Sequence, residues 1–188
     1  GIFEPFTNLR VAYDTMPIVD MLLLIPILIT MALALFYSNK SKVKNILSIA
    51  ILAFSFAYLG YSMAIKEMIN KRVTAQLNQE NIPYHRFITA PLPLTNFIWL
   101  IVAEDNQGFN YAYQSIFDKS LPNYKYIKKE DNLLGDYATS TDVKNLQRFT
   151  KGFYTVENIN GKIYLNDLRF GGLDLKSNDW FVFSFEIS

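Results

Sequence analysis

Asp20 stands immediately before the apolar run 21–36, with Asp14 six residues upstream and Arg10 close to it in sequence. An acid at the mouth of a membrane span is costly unless it lies at the interface, is paired, or faces a polar cavity. Two roles suit Asp20: an N-cap of the first helix, with Asp14 and Arg10 interfacial, or a carboxylate ligand for a divalent cation. A second constellation is Asn166-Asp167-Leu168-Arg169-Phe170-Gly171-Gly172, which alternates acid, apolar, base, apolar before a glycine turn. Asp167 and Arg169 then share one strand face. They form either an ion pair of little worth or a substrate-binding site in which Arg169 holds an anionic group and Asp167 orients it. The single histidine, His85, follows Pro83-Tyr84 and reads as a surface or interface residue, since one histidine makes neither a multi-histidine metal site nor a triad. No phosphate-cradling glycine loop, Gly-x-Ser-x-Gly elbow, cysteine nucleophile or His-Glu-x-x-His helix is present.

Composition narrows the classes further. Of 188 residues 51% are hydrophobic and 19% charged, which excludes a disordered chain, and the absence of cysteine excludes a disulfide scaffold or a thiolate-ligated metal. A net charge of +1 gives no field to gather a polyanion, so no nucleic-acid partner is expected. The opening Gly1-Ile2-Phe3-Glu4 has neither an initiator methionine nor the leader of a signal peptide, and reads as the start of a fragment.

The elements that must position these residues fall into two parts, 1–82 and 83–188. The run 21–36, extended by Ile18, Val19 and Tyr37, reaches about 20 positions, enough as a helix for one bilayer crossing. Pro26 inside it is tolerated in membrane helices. After a lysine-rich turn, 46–65 is a second run of spanning length, so the pair predicts a transmembrane hairpin with the bilayer as partner. Ala50, Ala53, Ala57 and Gly60 would mark one face of the second helix for close packing with another helix, and Tyr58 and Tyr61 would form an interfacial belt. Helical spacing continues past Ile65 as a stalk that ends at Asn81-Ile82-Pro83.

Beyond Pro91 the period changes to two. The run 97–103 suits a strand buried on both faces, and 104–108 turns into a strand over 109–113. A weaker edge strand covers 124–128, and a short helix with Val143, Leu146 and Phe149 on its apolar face follows the capping residues 139–142. Strands 153–159 and 162–165 flank Asn160-Gly161, a type I′ turn signal, and 180–187 forms the last strand. The expected fold is α+β: a transmembrane hairpin with a stalk, then a mainly antiparallel sheet of five or six strands with one helix. The segment 86–99, with two prolines, is expected to run extended and dock the sheet on the stalk.

Four stretches carry a family likeness: Pro5-Phe6-Thr7-Asn8-Leu9-Arg10-Val11-Ala12 with Ile18-Val19-Asp20; Thr89-Ala90-Pro91-Leu92-Pro93-Leu94-Thr95-Asn96 with Trp99; Arg148-Phe149-Thr150-Lys151-Gly152-Phe153-Tyr154; and Asp167-Leu168-Arg169-Phe170-Gly171. In order and spacing the chain resembles the C-terminal portion of the membrane-bound metal-dependent hydrolase family, the YdjM-like hydrolases of bacterial inner membranes. The resemblance implies an integral inner-membrane protein with a divalent metal ion held by His and Asp residues of preceding helices, against which this part would pack. Those histidine motifs match nothing here, and related chains carry proline where Met21 stands. Asp20, as metal ligand, with Asp14 and Arg10, carries across as the residues near the catalytic site. The resemblance thus implies a hydrolase acting at the membrane surface, on a lipid or phosphoester, with this portion inactive by itself. The alternative is a non-catalytic, membrane-anchored sheet module that binds a ligand or protein partner.

Overall fold

The computed structural model describes residues 20–36, 42–92, 96–171 and 181–187. Helix α1 spans Met21–Leu35 and helix α2 spans Lys42–Gln79. At 1.5 Å per residue α1 is about 22 Å long and α2 about 57 Å. α2 therefore contains both the second apolar run and the stalk as one unbroken helix. It is long and apolar enough to cross a membrane, and only 11% of its most apolar stretch is buried. Ile46, Ile49, Leu52 and Phe56 stand outward, a pattern that water disfavours and a bilayer accommodates. α1 is shorter than a bilayer core of about 30 Å; positions 18, 19 and 37 of the expected first crossing lie outside the described residues. Pro26 sits inside α1, where the Thr30 hydroxyl donates to its carbonyl at 2.8 Å.

α2 meets α1 through a face other than its stripe of small residues. Ala50, Ala53, Ala57 and Gly60 are exposed, and nothing lies within 4 Å of a Cβ built on Gly60. The less exposed side runs through Leu47, Ile51, Ser55 and Tyr58, with Tyr58 bonded to Asp20 at the start of α1. Polar groups choose the face here, because a carboxylate left in an apolar medium costs more than the close packing that small residues would add.

The polar end of α2 is a layer of the core. Strands β1 (Arg86–Pro91), β2 (Ile98–Glu104), β3 (Gly108–Ser115) and β4 (Lys125–Lys128) form an antiparallel sheet in that order. β2 is buried on both faces, as its continuous apolar run predicts. Trp99, Ile101 and Ala103 pack against Ile69, Val73 and Leu77 of α2, while Leu100 and Val102 join Phe109, Phe153 and Leu168 on the other side. The segment 86–91, expected as an extended linker, is a true strand, paired from Arg86 opposite Glu104 to Pro91 opposite Trp99. Pro91 is tolerated because β1 is an edge strand and the proline is its last residue. At the β2–β3 turn Asp105 Oδ1 accepts from the Gln107 and Gly108 amides. Gly108 is required there: a Cβ would lie 2.2 Å from the Ile127 carbonyl oxygen.

The rest of the chain forms a second layer instead of extending that sheet. A kinked 3-10 segment, Asp131–Thr139, leads to α3 (Thr141–Phe149), whose N-cap Ser140 accepts from the Val143 amide at 3.2 Å. Then come β5 (Tyr154–Ile159), β6 (Lys162–Asp167) and β7 (Ser184–Ile187), an antiparallel sheet in that order. Asn160 and Gly161 take positive φ values of 53° and 84°, as their turn signal predicts. Two sheets of four and three strands thus replace the single one expected. The helical excursion carries the chain away from β4, and β5 rejoins it only at its beginning, where the Val156 amide donates to the Lys129 carbonyl and the Thr155 hydroxyl to that of Lys128. The described part of the last strand begins at Ser184, later than expected, and Trp180 lies outside the described residues.

β7 is fastened to β6 by an exposed ion pair, Lys162 Nζ to Glu186 Oε1 at 2.8 Å. The hydrogen bond from Lys162 holds the Glu186 carboxyl below its ordinary value of 4.5. A carboxyl with a lowered folded-state value stabilises the fold above its unfolded value and loses that contribution as pH falls through the folded one. Amide exchange of β7 should therefore quicken relative to β2 as pH drops below 4.5, and Glu186→Gln should remove the acid-dependent part. Equal acid sensitivity in the variant would show that the pair does not fasten the strand.

Candidate functional site

A buried polar cluster joins α1, α2 and the segment before β2. Asp20 is 7% exposed, Tyr58 8%, and Ser62 and Asn96 are fully buried. Asp20 Oδ1 accepts from the Leu22 amide at 3.0 Å, so the N-cap role holds. Its Oδ2 accepts from the Tyr58 hydroxyl at 2.6 Å. Beside it, Asn96 Nδ2 donates to Ser62 Oγ at 2.9 Å. The Asn96 carbonyl in turn accepts from Trp99 Nε1 at 3.0 Å. Asn96 Oδ1 is buried and has no hydrogen-bond partner among the described residues.

Tyr58, Ser62, Lys66 and Asn70 recur every four residues and so form one ridge on α2. Below the cluster, Lys66 Nζ donates to the Thr89 carbonyl of β1 and lies 5.8 Å from the centroid of the Trp99 ring. The Thr89 hydroxyl donates to Asn70 Oδ1 at 2.6 Å. The ridge fastens α2 to α1 at one end and to the sheet at the other. Sequence reasoning found Asp20 but not its partner Tyr58, which is buried against it while Tyr61 is exposed. The missed signal was the four-residue recurrence of polar side chains through an apolar helix. Arg10 and Asp14 lie outside the described residues.

Asp167 and Arg169 do come together, as a closed pair. Both carboxylate oxygens accept from Arg169 Nε, at 3.0 and 3.2 Å, and Nη2 donates to Oδ2 at 2.6 Å. The Arg169 backbone amide adds a bond to Oδ1, so Asp167 caps the short 3-10 turn Leu168–Phe170 that ends β6. The guanidinium lies over Phe149 and Phe170 at 4.9 and 5.3 Å from their centroids. Asp167 thus engages both oxygens with Arg169 and the local backbone, the geometry of the ion-pair role. His85 is a surface residue, with Nε2 2.6 Å from Asn106 Oδ1.

A charged seam lies between the two layers. Arg86 pairs with Glu104, donates to the Lys151 carbonyl at 2.9 Å and sits 4.4 Å from the centroid of Phe153. Lys129 lies between Glu104 and Asp131, 5.1 Å from the centroid of Tyr154. Burial first, and Asp131 second, push the Tyr154 hydroxyl well above the usual tyrosine range, so it stays a neutral donor and acceptor. Burial does the same to Tyr124, beside Glu80. Further out, a groove of about 1000 Å³ is lined by Leu133, Val156, Asn158, Ile159, Tyr164 and Phe181, among others.

Chemically, the Asp20 cluster is one fixed carboxylate among neutral oxygens and an amide. Such donors suit a hard cation, but a catalytic metal needs a larger anionic or imidazole set. Among the described residues no group of three or more His, Cys, Asp or Glu side chains gathers, and each oxygen of Asp20 already accepts a hydrogen bond. These residues do not by themselves form a metal centre. No family model, curated protein or solved structure matches the chain.

Proposed function

We propose that the chain is the membrane-anchored C-terminal part of a metal-dependent hydrolase of the YdjM-like kind, resident in a bacterial inner membrane, to which it contributes Asp20, with Asp14 and Arg10 nearby. The observation that supports this reading is the burial of the Asp20 carboxylate at the start of an apolar helix, with both oxygens oriented by named donors. An ionisable residue bordering a membrane span, with its partners named, is by default a functional-site candidate. In this reading the metal and its His and Asp ligands belong to preceding helices, as in the family that the sequence resembles. The position at the mouth of a span suits a lipid or phosphoester presented at the membrane surface.

The test is metal content. Full-length protein purified in detergent, stripped with chelator and reloaded with Zn²⁺ or Mn²⁺, should retain stoichiometric metal by elemental analysis, and Asp20→Asn should lose it while remaining folded. Metal-free protein, or unchanged metal in the variant, overturns the reading.

A second reading is an anchored sheet module that binds a ligand or protein partner. The groove beside β5 and β6 favours it, because its lining mixes apolar Ile159 and Val156 with the amides of Asn158 and Asn166. It requires that Asp20→Asn be without consequence for binding.

A further inference from the structure

We propose that Tyr58 is a positioning residue for the Asp20 carboxylate, and that Asn96 lets the docked sheet set that position. The inference deepens the hydrolase reading and rests on it for its functional meaning, while its geometry stands alone. Tyr58 donates to Asp20 Oδ2 at 2.6 Å, which leaves one rotational freedom fewer to a carboxylate already capped on Leu22. A phenol is rigid, with only two side-chain torsions, and this ring is braced between Phe54 and Tyr61 at centroid distances of 6.1 and 5.9 Å. Asn96 Nδ2 donates to Ser62 Oγ at 2.9 Å, one helical turn from Tyr58 and likewise buried, so the sheet is joined to the ridge of α2 that carries the phenol.

Asn96 is held by the sheet. It sits two residues before the start of β2 at Ile98, its carbonyl accepts from the Trp99 indole, and Trp99 of β2 is fully buried against α2. Lys66 and Thr89 fix the neighbouring turn of α2 to β1. A shift of the sheet relative to α2 would therefore move Asn96 and its bond to Ser62, and with them the buried surroundings of the Tyr58 hydroxyl that holds Asp20 Oδ2. Polar chains of this kind, buried and short, couple their members more strongly than exposed ones. The sheet domain is in this way a determinant of carboxylate geometry and not only a support.

The carboxylate stretch of Asp20 reads this directly. In full-length protein in detergent, with aspartate labelled by ¹³C at the carboxyl carbon, the Asp20 band is the one that Asp20→Asn removes from the infrared spectrum. Tyr58→Phe should shift that band, and Asn96→Ala should shift it in the same sense by a smaller amount, with far-ultraviolet circular dichroism unchanged. A band unmoved by Tyr58→Phe overturns the positioning role, and one moved by Tyr58→Phe but not by Asn96→Ala overturns control by the sheet. Should Asn96→Ala fail to fold, Ser62→Ala interrogates the same link with a smaller perturbation and the same two outcomes. The metal measurement is independent: metal-free protein with the Asp20 band shifted in both variants sinks the hydrolase reading and leaves the positioning device.

Discussion

Asp167→Ala should destabilise the sheet domain by about 3–5 kcal/mol, the range seen when one partner of a buried ion pair is removed. The Asp167 side chain is fully buried and that of Arg169 is 14% exposed, so the orphaned guanidinium would remain against Phe149 and Phe170 with little water to replace its partner. The same substitution removes the acceptor that closes the turn at the end of β6. Arg169→Ala should cost a similar amount, by leaving the carboxylate uncompensated. The double variant Asp167→Leu/Arg169→Met should recover most of the loss, because apolar replacement of a buried pair is often close to neutral. Thermal unfolding of the full chain in detergent, followed by near-ultraviolet circular dichroism, measures all three. A cost below about 1 kcal/mol for Asp167→Ala, the level of a solvated pair, would mean that water reaches the guanidinium and would restore Arg169 as an anion-binding candidate.

That outcome bears on why the sequence was legible in some places and not in others. Period and turn chemistry are local, and where they decide the structure the reading held. The two-faced burial of β2 follows from an apolar run without alternation, the β5–β6 hairpin from Asn160-Gly161, and α3 from the Ser140 cap and the spacing of Val143, Leu146 and Phe149. What failed depends on partners distant in sequence. Whether 86–91 pairs as a strand is decided by Glu104 through Trp99, not by its own proline. Whether β5 continues the first sheet is decided by the path of the 3-10 segment between them. The face that α2 turns to α1 depends on a bond spanning 38 positions, from Tyr58 to Asp20. The candidate site was half legible for the same reason: an acid before an apolar run is visible alone, but the three residues that surround it become recognisable only when α2 and the sheet are placed together.

Asp20→Ala should loosen the α1–α2 pair by two separable losses, and a double-mutant cycle with Tyr58→Phe resolves them. Loss of the N-cap costs about 1 kcal/mol. Leaving the buried Tyr58 hydroxyl without its acceptor costs about 1–3 kcal/mol more. In the Tyr58→Phe background the second loss has already been taken, so Asp20→Ala should there cost only the cap. Asp20→Asn should fall between, because the Leu22 amide and the Tyr58 hydroxyl address different carboxylate oxygens and the variant replaces one of them by an NH2 donor. Thermal unfolding in detergent, monitored by helical circular dichroism, gives the four corners of the cycle. A coupling of 1 kcal/mol or more, of the size found for residues in one hydrogen-bond network, identifies the Asp20–Tyr58 bond as the lock between the helices. Equal costs in both backgrounds would mean that Ser62 or Asn96 takes the hydroxyl when Asp20 is gone, and that the carboxylate is retained at the mouth of the helix for something other than packing.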